Sequence, residues 1–134
     1  MGSVRASLRL SSSDVLTTAV DITTAASITA DGGSIGRAKV LKTAVHNDAL
    51  VVYKADDKLV NANLYVKNLE IEKENYVYIY NDTDSDALVA KIPGGEFAFI
   101  PVAVDKTYKV YATRVDSLVE FAVFGLDSSA VTLS

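Results

Sequence analysis

The sequence predicts an all-β protein, an antiparallel β-sandwich of about eight to ten short strands. Three observations predict it. Val, Ala and Thr dominate over Leu in a chain that is 49% hydrophobic, and Leu-Lys-Glu stretches of helical type are almost absent. Apolar and polar residues alternate with period two along much of the chain. Clusters of Asn, Asp, Gly and Pro punctuate it at the regular spacing of sandwiches and barrels. The 134 residues fit a single domain, 1–134, long enough to bury roughly two-thirds of its unfolded surface. Residues 1–12 and 127–134 are expected to serve as exchanged or edge strands.

Taken in order, Val4, Ala6, Leu8 and Leu10 alternate with Arg5, Ser7 and Arg9, a short amphipathic strand with a basic outer face. Residues 15–30 carry no Lys or Arg. Ser13 or Asp14 could cap a helix there, but the Thr pairs at 17–18 and 23–24 favour one or two strands. Ala30, Asp31, Gly32, Gly33 and Ser34 read as a turn. Residues 37–45 alternate again, with Ala38 and Val40 inward and Lys39 and Lys42 outward, and His46, Asn47 and Asp48 turn the chain into the run 49–53. Asp56, Asp57 and Lys58 form the next turn, and 60–66 is a strand.

The stretch 76–101 holds three runs rich in aromatic and branched residues, separated by the two strongest turn signals in the chain. These predict three consecutive strands of one antiparallel meander. Tyr76, Tyr78 and Tyr80 share one face and Val77 and Ile79 the other, so both faces are largely apolar. Such a strand belongs in a sandwich or against a partner chain. Beyond it, residues 106–115 place Tyr108, Val110 and Ala112 on one face. The last clear strand, 119–126, sets Val119, Phe121 and Val123 opposite Glu120, Ala122 and Phe124.

Composition excludes several functions. A net charge of −4 opposes binding to nucleic acid, which needs a concentrated field of Lys and Arg. With no cysteine there is no disulfide, no thiolate metal site and no Cys nucleophile. No apolar run approaches the ~20 residues of a membrane span. The N-terminus does not resemble a secretory signal, and Ala6 occupies the position where an N-myristoylation motif needs Ser or Thr. Synthesis in a cytoplasm is expected.

Candidates for chemistry are few, and no cofactor and no catalytic residue is predicted. Asp82, Asp84 and Asp86 alternate like the first half of a calcium loop, but Ala87 and Pro93 stand where that loop needs Gly and a bidentate Glu. Turn chemistry favours reading the acids as a solvated hairpin tip, with a weak calcium site of another geometry as the alternative. His46 is the only histidine, and no Gly-x-Ser-x-Gly elbow accompanies it. Glu96 and Glu120 are the pair available for glycoside hydrolysis, yet both read as the wet face of a strand. Gly32, Gly33, Ser34, Ile35 and Gly36 lack the Lys-Ser/Thr and the helix of a phosphate cradle. The surplus lies in the seven tyrosines, which combine apolar area with a polar tip in a chain without Trp. Tyr76, Tyr78, Tyr80, Phe97, Phe99, Tyr111 and Phe124 are the candidate contact residues, with ordinary sandwich packing the favoured alternative for Tyr76, Tyr78 and Tyr80 as a set.

The second half resembles small virion structural proteins of tailed bacteriophages. The resemblance rests on Leu64-Tyr65-Val66-Lys67-Asn68-Leu69, Tyr76-Val77-Tyr78-Ile79-Tyr80, Ile92-Pro93-Gly94-Gly95-Glu96-Phe97-Ala98-Phe99-Ile100-Pro101 and Val119-Glu120-Phe121-Ala122-Val123-Phe124-Gly125, and it covers residues 60–126. It implies a jelly-roll-like sandwich that coats or cements a capsid or forms part of a tail or fibre, and it brings no catalytic residue. The expectation is a capsid decoration or cement protein of the virion. Its partners would be further copies of itself and the major capsid protein or another virion protein. The alternative is a receptor- or carbohydrate-binding module of a tail or fibre.

Overall fold

The computed structural model describes residues 2–42, 49–82 and 87–127. Ten strands follow in chain order: β1 (Gly2–Ser12), β2 (Val20–Ala30), β3 (Gly32–Val40), β4 (Leu50–Tyr53), β5 (Leu59–Asn68), β6 (Val77–Asn81), β7 (Ala87–Ile92), β8 (Phe97–Val102), β9 (Tyr108–Ala112) and β10 (Ser117–Asp127). There is no helix among the described residues. Eight of the strands form two four-stranded sheets, β3-β10-β5-β8 and β4-β9-β6-β7, and every strand pairing within them is antiparallel. Strands exchange sheets repeatedly along the chain, the order of a jelly roll.

Period-two alternation decides which side chains meet between the sheets. Val40, Leu64, Val66 and Val119 of the first sheet face Val52, Val77, Ile79, Val110 and Ala112 of the second in one core. All but Val52, at 6%, are at most 1% exposed. Branched residues fit this pleated, two-sided environment and stabilise it by burial, at about 25 cal/mol per Å² of apolar surface.

The expected three-strand meander is corrected. β6 and β7 pair, but β8 crosses to the other sheet and pairs with β5. The Pro93-Gly94-Gly95 turn explains the crossing. Asn68, the last residue of β5, donates its backbone N–H to the Glu96 carbonyl at 2.9 Å and accepts the Gly95 N–H at 2.9 Å. The reversal is thus fastened to the end of β5, which hands the chain to that sheet. Gly94 is required there, since a Cβ would lie 2.1 Å from the Glu72 carbonyl oxygen, and Gly95 sits at φ +83°.

Gly32 and Gly33 also depart from expectation: they open β3, and Asp31 alone links β2 to β3. A Cβ on Gly33 would meet the Val123 carbonyl oxygen at 2.3 Å, so this glycine serves close strand approach and not a turn. The 32–36 segment lies within β3, and no helix follows it among the described residues.

The first two strands form a separate antiparallel ribbon paired over its whole length, from Gly2↔Ala30 to Ser12↔Val20. Residues 2–12 therefore edge this hairpin and neither sandwich sheet. No helix is capped at 13–14. The Ser12 hydroxyl accepts the N–H groups of Asp14 at 3.3 Å and Val15 at 3.2 Å, which fixes the start of the 13–19 connection at the hairpin tip. The expected turn at His46 and the final residues 128–134 lie outside the described residues.

Candidate interaction surfaces

The seven predicted contact residues fall on opposite outer faces of the sandwich. On the second sheet, Tyr78 of β6 lies directly across from Tyr111 of β9. Their rings stack with centroids 5.0 Å apart and planes 16° apart. Tyr80 meets Tyr111 edge-on at 5.3 Å, Tyr76 lies 6.5 Å from Tyr78, and the Lys91 ammonium sits 4.1 Å from the centre of the Tyr76 ring. The four tyrosines are one cluster. Tyr80 is fully buried and holds the cluster together without presenting surface, while Tyr76, Tyr78 and Tyr111 stay half-buried.

On the first sheet, Phe97 and Phe99 of β8 flank Tyr65 of β5. Tyr65 pairs across the strands with Phe99, and its ring centroid lies 6.4 Å from that of Phe97. Phe97 is 53% exposed. Phe124 of β10 projects from the same outer face, half-buried. Tyr65 also donates its hydroxyl to Glu120 Oε1 at 2.9 Å, and Arg37 approaches Glu120 Oε2 at 3.0 Å. The Tyr65 hydroxyl and the Arg37 guanidinium hold the Glu120 carboxyl below its ordinary 4.5. Burial, then the bond to Glu120, raises Tyr65 above its ordinary 10.0.

The β1–β2 hairpin folds back over this face. Alternation gives it an apolar side, Val4, Ala6, Leu8 and Leu10 against Ile28, Ala26, Thr24 and Ile22, and a polar side bearing Arg5, Arg9 and Asp21. Arg9 and Asp21 pair at 3.3 Å on the exposed side. Between the hairpin and the sheet runs an open cleft of about 840 Å³, walled by Leu8, Leu10 and Ala26 on one side and Tyr65, Phe97 and Phe99 on the other. Nearer the hairpin base a smaller cleft of about 440 Å³ separates Ile28 from Asn63 and Pro101.

Tyr65, Leu8 and Leu10 were not among the predicted contact residues. Their alternation was legible, since Tyr65 stands opposite Leu64 and Val66, but nothing local indicates that residues 2–30 fold back over β5 and β8.

The acidic candidates are engaged. The Asp82 carboxylate pairs with Lys109 at 3.1 Å, and Asp84 and Asp86 lie outside the described residues. Glu96 pairs with Lys73 at 3.4 Å and Glu120 with Arg37, so neither stands as an unpartnered carboxylate. His46 lies outside the described residues. Among the described residues, no group of three or more His, Cys, Asp or Glu is gathered around a common point.

No family model and no curated protein matches the chain. Among solved structures it is similar to a chain from the work titled "Bacillus endospore appendages form a novel family of disulfide-linked pili", at 15% identity, over 72% of this chain and 87% of that one, with a TM-score of 0.49. A likeness at that level carries no functional meaning.

Proposed function

We propose that this chain is a virion structural protein that decorates or stabilises a phage capsid through protein–protein contacts with further copies of itself and with the shell. One observation carries the reading. The hairpin and its tip leave large apolar side chains in solvent: Leu10 is 47%, Ile22 53%, Leu16 61% and Val15 76% exposed. A two-stranded ribbon is marginal in water unless its apolar side is covered, so a partner surface is required to complete it. The aromatic outer faces of both sheets and the resemblance in residues 60–126 support the same reading. The jelly roll serves viral capsid and lectin domains alike and does not by itself choose between them. The direct test is binding of the purified protein to capsids stripped of it: saturable, lattice-periodic binding supports the reading, and absence of binding removes it.

The second reading, a carbohydrate-binding module of a tail or fibre, is favoured by the tyrosine cluster with Lys91 beside it, because aromatic rings with polar tips suit the faces and hydroxyls of sugars. Glycan-array binding that Tyr78→Ala abolishes would favour it over the capsid reading.

A further inference from the structure

We infer that the tip of the β1–β2 hairpin of one copy seats in the cleft between the hairpin and the first sheet of a second copy. The inference rests on the proposed role as an assembly subunit and names how the copies join. The tip offers apolar surface: Ser12 fixes its start by accepting the Asp14 and Val15 N–H groups, and Val15 and the following Leu16 are 76% and 61% exposed. Two adjacent exposed branched residues are surface left without a partner. The cleft is the matching hollow. It is open and mainly apolar, with Arg5, Ser7 and Glu96 among its lining residues, and its volume is about 840 Å³.

A chain cannot fill its own cleft with its own tip. Leu8 and Leu10 line the cleft and the strand runs on in extended form to Ser12, which carries the tip roughly 7 Å or more beyond the cleft at ~3.4 Å per residue, and the paired ribbon does not bend back on itself. Ile22, beyond the cleft, pairs with the cleft-lining Leu10 and continues the same apolar side of the ribbon. A tip entering from a second copy therefore meets the apolar side chains of Leu8, Leu10, Phe97 and Phe99. One insertion of so few side chains falls short of the ~1,000 Å² expected of a stable interface, so the two copies exchange tips, each seating in the other's cleft.

The absence of native cysteines permits a clean test. Differently tagged chains carrying Val15→Cys and Phe97→Cys are mixed and oxidised. The 15–97 link is expected at least tenfold faster than a control link from Val15→Cys to Leu88→Cys, an exposed site on β7 of the other sheet. In parallel, the double variant Val15→Asp, Leu16→Asp is expected to weaken self-association at least tenfold in sedimentation while thermal unfolding is unchanged, because neither residue is part of the core. A chain that self-associates with no preference for the 15–97 link overturns the insertion and leaves the subunit role standing. A chain that stays monomeric overturns the insertion too, and the subunit role then falls only if capsid binding also fails. A 15–97 link confined to mixtures containing another virion protein would overturn it in favour of that occupant.

Discussion

Tyr65 donates its hydroxyl to Glu120 across two neighbouring strands at 2.9 Å, on the floor of the cleft beneath the hairpin. The bond favours ionised Glu120 and neutral Tyr65, so both ends of the pH range are affected. Because the folded-state value of Glu120 is depressed, its contribution is present above pH 4.5 and is lost as pH falls through the lower folded value. Tyr65→Phe is expected to flatten the acid limb of the stability curve. Urea unfolding at a series of pH values below 5 checks this, and a limb identical to that of the parent would contradict it.

The alkaline limb runs the other way. Tyr65 and Tyr53 are raised above 10.0, Tyr53 by burial and then by Asp56, Tyr108 and Asp105. Their contribution is complete below pH 10.0 and is lost as pH rises through the folded values. Tyr53 further donates to the Val104 carbonyl at 2.9 Å, a bond that ionisation destroys. Tyr53→Phe is expected to make stability less dependent on pH above 10, as read by thermal unfolding with absorbance tracking of tyrosinate.

Asn68 is the only fully buried amide side chain among the described residues, and it is satisfied on both sides. Its amide donates to the carbonyls of Asn75 at 2.7 Å and Ile92 at 3.0 Å, and its oxygen accepts the Glu70 N–H at 3.0 Å. Asn68→Ala strands these groups, and each unsatisfied buried group costs ~1–3 kcal/mol, so a loss of about 2–4 kcal/mol is expected. Asn68→Asp should be at least as damaging, since it sets a carboxylate against two carbonyls. Urea midpoints decide both.

Two adjacent glycines are expected to differ. Gly94→Ala drives a methyl group against the Glu72 carbonyl and requires the 70–75 loop to move, whereas Gly95→Ala faces only the flexible Lys73 side chain at 3.7 Å and carries the penalty of φ +83°. The second change should cost ~1–2 kcal/mol and the first clearly more. Equal losses would show that the 93–96 turn is less tightly held than its packing indicates.

Removal of residues 2–30 should leave the sandwich folded, because the core cluster holds no residue before Val40. Cooperative thermal unfolding is expected to persist, with self-association lost. Loss of cooperativity would show that the hairpin stabilises the sandwich it covers.

Strands and inward faces were legible where alternation is a local property: Val77 and Ile79, Tyr108 to Ala112, and Val119 to Val123 all point as their spacing requires. Pairing was legible between β6 and β7 but not for β8. The turn at 93–95 announces a reversal, but which sheet receives β8 depends on Asn68, twenty-five residues earlier, whose backbone and side chain meet that turn and its neighbours only in three dimensions. Gly33 misled for a related reason, since a glycine that admits a neighbouring carbonyl looks like a glycine that turns. The contact surface was half legible. The tyrosines of β6 and β9 gathered on one outer face as their alternation suggests, yet the cleft depends on a fold-back at Asp31 that no periodicity records.

The most direct test of the assembly role is the position of this chain in purified phage particles by cryo-electron microscopy. The account predicts copies in register with the shell lattice, with hairpins reaching between neighbouring copies. Copies confined to a tail or fibre, or absence from the particle, would contradict it.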